Sequence, residues 1–178
     1  MLFDILCSLW CYPAMALGLF TGIVWTYRTL CVILRCAGFG TKCTTDRYGK
    51  DSWAVVTGGT DGIGKASAIH LAKEGFNVVL ISRTLERLQN VAKEVEAAAK
   101  SAGKTIKTKV VQLDFSKTYD AATFKRIYEN DLKGLDISIL VNNVGMVGGK
   151  LTHFLDQSAQ DVHNVTTCNI YANVLLTH

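Results

Sequence analysis

Residues 55–76, VVTGGTDGIGKASAIHLAKEGF, join a β-branched run to a helix-like run through a turn with glycine at 58, 62 and 64. In such a turn the first glycine lets the chain bend sharply after a strand. The second lets the backbone approach a phosphate, and the third lets helix and strand pack closely. A helix opening at Gly62 aims unpaired amides and a partial positive charge back into the turn. Three glycines alone are weak evidence. Following a strand and opening a helix inside a unit of about thirty residues, they predict a pyrophosphate site for a dinucleotide. Gly58, Thr60, Asp61, Gly62, Ile63 and Gly64 are the expected cofactor-binding residues of this turn.

The chain around the turn alternates strand and helix. Short runs at 53–57, 77–82, 108–114 and within 136–145 read as strands, and 62–74, 84–103, 119–129 and 158–178 read as helices. Gly75 closes the first helix, and Thr84 caps the second, whose apolar stripe is Leu85, Leu88, Val91, Ala92 and Val95. Four such alternations predict an α/β fold with a parallel sheet, the N-terminal half of a Rossmann-type doubly wound domain. The end of the second strand selects the nucleotide. A carboxylate there would bind a ribose diol, but the chain has Ser82 and Arg83, and an arginine favours the 2′-phosphate of NADP(H).

Composition supports a folded domain with an apolar appendage. Hydrophobic residues make up 49% and charged residues 19%, which argues against disorder. The net charge of +4 is spread without a dense basic run, so no nucleic-acid partner is expected. Residues 5–27 contain no charge and as a helix span roughly 34 Å, enough for a hydrocarbon core. A cleaved signal peptide would want a basic start, yet Asp4 is the only charge before Arg28. A buried soluble helix is the other alternative, and a retained anchor is the preferred reading. Arg28, Arg35, Lys42, Arg47 and Lys50 all follow the span, which predicts a cytosolic globular part. The expected organisation is an anchor at 1–35, a linker at 36–49 and a nucleotide-binding domain at 50–178. Segment 29–34 either extends the anchor helix or lies in the interface.

Five of the six cysteines lie in or beside the apolar segment, without a C-x-x-C pair. Cys31, Cys36 and Cys43 are candidates for palmitoylation. The four histidines lack metal-ligand spacing, and no metal is expected.

The spacing of Thr57, Gly58, Gly62, Ile63 and Gly64 resembles the short-chain dehydrogenase/reductase superfamily. LVNNVG at 140–145 is similar to that family's N-N-x-G element, and QLDF at 112–115 puts Asp114 where the family contacts the adenine ring. GGTDGIGKA, VVLISRT and NNVGM look closest to the very-long-chain 3-oxoacyl-CoA reductases and the 17β-hydroxysteroid dehydrogenases. The resemblance implies cofactor contacts from Asn142, Asn143 and Gly145. It also implies an asparagine that orients a water in a proton relay, at Asn169.

That branch is anchored in the endoplasmic reticulum membrane and implies a lipophilic substrate, either an acyl-CoA or a steroid. The family's proton donor sits in a Y-x-x-x-K motif. The residues four places after the six tyrosines are Ala16, Cys31, Ser52, Thr123, Leu132 and Leu175, none of them lysine. The expectation is therefore a chain holding the cofactor half of a reductase, without its catalytic serine, tyrosine and lysine. Alone it should be inactive, and it should expose the edge of its fourth strand. A homodimer is expected only for the full-length form, and the alternative is a non-catalytic tethered nucleotide-binding module. The sequon at Asn164 is expected to stay unmodified in the cytosol.

Overall fold

The computed structural model describes residues 2–37, 45–118, 120–148 and 153–178. The chain divides into two compact units, Met1–Lys42 and Cys43–His178. Helix α1 (Leu2–Cys36) fills the first unit, so segment 29–34 continues the helix. Within it, Tyr12–Cys36 is long and apolar enough to cross a membrane by length and composition. Its threonines leave little for water to solvate: Thr21, Thr26 and Thr29 donate their hydroxyls to the carbonyls of Gly18, Gly22 and Trp25. Cys36 is exposed and Cys31 partly so. Lys42 and Cys43 lie outside the described residues.

The second unit opens with the single turn α2 (Thr45–Tyr48). It then builds a sheet from β1 (Trp53–Thr57), β2 (Asn77–Ser82), β3 (Thr108–Gln112) and β4 (Ile137–Val141) in the order β3-β2-β1-β4. Every pairing is parallel. A Rossmann-like α/β sheet is therefore present, as expected from the alternation. The third strand ends at Gln112, two residues short of its expected end. Beyond it Leu113 makes one last bond to Ser82, and Asp114 turns the chain.

Both faces of the sheet are covered, which explains why its strands read as continuous apolar runs. On one face Ala54, Val56, Val78 and Leu80 pack under α3 (Gly62–Glu74) and α4 (Leu85–Ser101). On the other, Val55, Val79, Ile81 and Val111 meet Phe124 and Ile127 of α5 (Ala121–Ile127), with Cys168 and Ala172. Asn77 holds the start of β2 from within: its amide donates to Asp51 O at 2.7 Å, and its Oδ1 accepts from Lys107 N at 2.7 Å.

Gly75 ends α3 in the left-handed conformation (φ 101°), with its amide on Ala72 O. Thr84 takes the cap position of α4 without a side-chain capping bond. Leu85 departs from the expected stripe. It is exposed, while Leu88, Val91, Ala92 and Val95 are buried. The helix expected at 119–129 has a described start at Ala121 and widens into a π turn at Tyr128–Leu132, with Tyr119 outside the described residues. The last helical segment is α6 (Ala159–Thr166), a π turn at Thr167–Tyr171 and α7 (Ala172–Thr177).

Candidate nucleotide site

The carboxyl ends of β1, β2 and β3 and the loop after β4 surround a cavity of about 350 Å³. Each wall follows from local chemistry. At the end of β1, Gly58 adopts φ +62° and Gly62 adopts φ +52°, a region that penalises any side chain. Asp61 accepts from Gly62 N at 2.7 Å and starts α3. A Cβ on Gly62 would meet nothing within 4 Å, so the backbone there faces open space that a phosphate could enter. A Cβ on Gly64 would lie 2.4 Å from both Gly58 O and Asn143 Nδ2, so this glycine serves close packing. Of the three glycines, Gly64 packs closely against the turn and Asn143, and Gly58 and Gly62 take the positive-φ conformation.

Thr57 ties this turn to the far side of the fold. Its fully buried hydroxyl accepts from the amides of Asn143 and Val144, both at 3.0 Å, and donates to Val141 O at 3.2 Å. Asn143 answers with Nδ2, which donates to Thr57 O at 3.0 Å and Gly58 O at 3.3 Å. Asn143 is therefore a brace for the turn as well as a wall of the cavity.

The second wall comes from β2. Thr60 Oγ1 and Ser82 Oγ lie 3.2 Å apart, and Arg83 follows with its guanidinium in no ion pair among the described residues. Asp114 closes the third side, where its Oδ1 accepts from Ser116 N at 3.1 Å and Ser116 Oγ at 2.7 Å. Gly145 completes the lining beside Val144 and Met146.

Gly58, Thr60, Asp61, Ser82, Arg83, Asp114, Asn143 and Gly145 thus share one cavity. Gly62, Ile63, Gly64, Asn142 and Asn169 are not among its lining residues. Ile63 is exposed, and the Asn142 amide donates to Thr177 Oγ1 at 3.0 Å. Asn169 sits in the π turn after α6, with both polar groups of its side chain on the main chain of Met146.

Reasoning from motifs passed over Thr84, Arg87, Ser116 and Cys168, all of which line the cavity. The arginine at 87 had a visible signal, its spacing of four from Arg83. Cys168 is buried beneath the cavity. Burial and then the nearby Asp114 carboxylate push its thiol pKa up, against a smaller downward pull from Arg83.

A glycine turn at the carboxyl end of the central strand of such a sheet defines a Rossmann-type nucleotide-binding fold. The comparisons narrow it: residues 52–178 match the short chain dehydrogenase family, to which the chain belongs. It is 41% identical over 138 residues to the very-long-chain 3-oxoacyl-CoA reductase of Schizosaccharomyces pombe, covering 78% of this chain and 38% of the relative. It is 48% identical over 128 residues to rat 17-beta-hydroxysteroid dehydrogenase type 3, covering 70% and 38%.

Among solved structures, the bulky-bulky ketone specific alcohol dehydrogenase of Comamonas testosteroni superposes with a TM-score of 0.59 at 28% identity, over 72% of this chain and 47% of that one. A short-chain dehydrogenase from Sphingobium yanoikuyae in complex with NADPH gives 0.58 at 27%, over 71% and 46%. The chain spans about 38% of the length of the curated relatives it matches.

Proposed function

We propose that this chain is the NADP(H)-binding part of a membrane-anchored reductase acting on a ketone of a lipophilic substrate. That substrate is either a 3-oxoacyl-CoA or a 17-ketosteroid. The observation that carries this reading is the cavity beside Gly58, with Arg83, in no ion pair among the described residues, where an NAD site would have a carboxylate. The residues present fit the group. Gly62 leaves room for the pyrophosphate, Asp114 and its Ser116 turn form the adenine side, and Ser82 and Arg83 face the 2′-phosphate.

When bound, the nicotinamide supplies the hydride that reduces the carbonyl carbon. This chain's own work is to bind and orient. The Thr57–Asn143 brace keeps the phosphate turn fixed, and Asn143 and Gly145 hold the nicotinamide end. Asn142, just after β4, ties that strand's end to α7 through Thr177, and Ile63 stands exposed beside the turn. Asn169 is the relay asparagine by resemblance; here it holds the loop after β4 through Met146.

Helix α1 is the anchor, in the endoplasmic reticulum membrane by resemblance, with the basic flank and the globular unit on the cytosolic side. A second reading is a tethered nucleotide-binding module that regulates a partner. Both readings predict no ketone turnover by these 178 residues alone, which hold no Y-x-x-x-K.

The test is titration of the full chain in detergent micelles with NADPH and NADH, followed by nicotinamide fluorescence. Binding of NADPH at least about tenfold tighter than NADH is the expected result. Equal affinities remove the NADP assignment, and failure to bind either removes the dinucleotide reading. Ketone reduction by the same preparation would overturn the expectation of inactivity.

A further inference from the structure

Arg83 is not alone at the cavity. Arg87, in the first turn of α4, lines the same space four residues later. Two cations lining one cavity repel, and no ion pair among the described residues joins either of them to a carboxylate. The ion pairs among the described residues are Lys65–Glu94, Lys109–Asp131 and Lys125–Glu129, and Glu86 does not line the cavity. The two carboxylates that do line it, Asp61 and Asp114, are occupied by Gly62 N and by Ser116. Three hydroxyl-bearing residues, Thr60, Ser82 and Thr84, line the same cavity. Two guanidinium groups in no ion pair among the described residues, beside three hydroxyl groups, suit a doubly charged phosphomonoester. A phosphodiester carries one charge and would leave a cation unmatched.

We infer that Arg87 is a specificity-determining residue, the second jaw of a two-arginine clamp on the 2′-phosphate. This inference rests on the proposed NADP(H) reading. Arg83 at the strand end reaches the phosphate from one side, and Arg87 reaches it from the first turn of α4. The clamp accounts for both arginines lining one cavity, with Asp61 and Asp114 in its wall, while neither arginine is in an ion pair among the described residues. Because Arg87 is exposed and no side-chain hydrogen bond or ion pair holds it among the described residues, its replacement leaves the fold intact.

The experiment compares the full chain with its R87Q, R87K and R83Q variants and the R83Q/R87Q double variant in detergent micelles. NADPH and NADH are titrated against each. Adenosine 2′,5′-bisphosphate and 5′-AMP serve as competitors that lack the nicotinamide. R87Q should weaken NADPH and the bisphosphate by about tenfold while changing NADH and 5′-AMP by less than about twofold. R87K should recover part of the loss. The two single losses should not add in the double variant, because both side chains act on one dianion.

NADH affinity is the internal control for folding. If wild-type chain prefers NADPH and R87Q preserves that preference, the clamp is wrong and the NADP(H) reading stands. An equal loss for NADPH and NADH in R87Q also overturns it, since that pattern reports distortion of the site. If wild-type chain does not distinguish the two cofactors, the reading and the clamp fall together.

Discussion

Asn169 spends its entire side chain on one residue: Met146 N donates to Oδ1 at 2.8 Å, and Nδ2 donates to Met146 O at 2.8 Å. The pair stitches the π turn of the last helical segment to the loop that carries Asn143 and Gly145. Substitution to alanine removes both bonds at an exposed position, so the loss should be about 1 kcal/mol. Aspartate keeps one acceptor but sets a carboxylate against the Met146 carbonyl, and should be worse than alanine. Amide hydrogen exchange at Met146 is the direct readout, with faster exchange expected in both variants. Unchanged protection would show that the loop is held by something else.

The hydroxyl of Thr57 is the hub of the phosphate turn. Thr57→Val keeps the shape and leaves the amides of Asn143 and Val144 without their acceptor. The expected destabilisation is about 2–3 kcal/mol, read from thermal unfolding in micelles. Thr57→Ser should lose much less, since it keeps the oxygen.

Gly64→Ala tests close packing where the Asn143 brace meets the turn. The added methyl would sit 2.4 Å from Gly58 O and Asn143 Nδ2, and one of these is backbone. A loss of about 1–3 kcal/mol is expected, with weaker NADPH binding alongside it. Gly62→Ala should differ in kind. The space is open there, and the cost is the strain of φ +52°.

Cys168 should be slow to alkylate. Burial raises its thiol pKa, so less thiolate is present than at an ordinary cysteine at the same pH. Iodoacetamide labelling followed by mass spectrometry should modify exposed Cys36 first. The sign for stability follows from the same shift. A group with a raised folded pKa favours the fold below its unfolded value, near 8.5, and loses that contribution as pH rises through the folded value. Stability should therefore fall in alkali more steeply than in a Cys168→Ala chain.

Topology has its own test. Translation into microsomes should leave Asn164 free of glycan, because the sequon belongs to the proposed cytosolic unit. A mass increase reversed by a deglycosidase would place that unit in the lumen.

The strands and the glycine turn were legible because their signals are local. A run such as NVVLIS has only one comfortable place in a covered parallel sheet, and glycines at φ +62° and +52° announce themselves by residue type. Leu85 misled because periodicity alone cannot tell that the first turn of α4 overhangs the core. Thr57 and Asn143 carry the turn through bonds 86 residues apart, and nothing in either neighbourhood hints at the other. The π turns escaped notice for a related reason: each is a single widened turn with i→i+5 bonds, too short to leave a period of its own in the sequence.

The brace between Thr57 and the loop after β4 also sets an order of events. β1 is central, yet one of its neighbours, β4, begins 84 residues after it, at Ile137 against Trp53. Contacts of such separation form late, after the loop-closure cost has been met. A ribosome-bound chain carrying only β1, α3 and β2 would own all three glycines and no working site. The phosphate turn, near the beginning of the globular unit, is among the last parts of the molecule to become rigid.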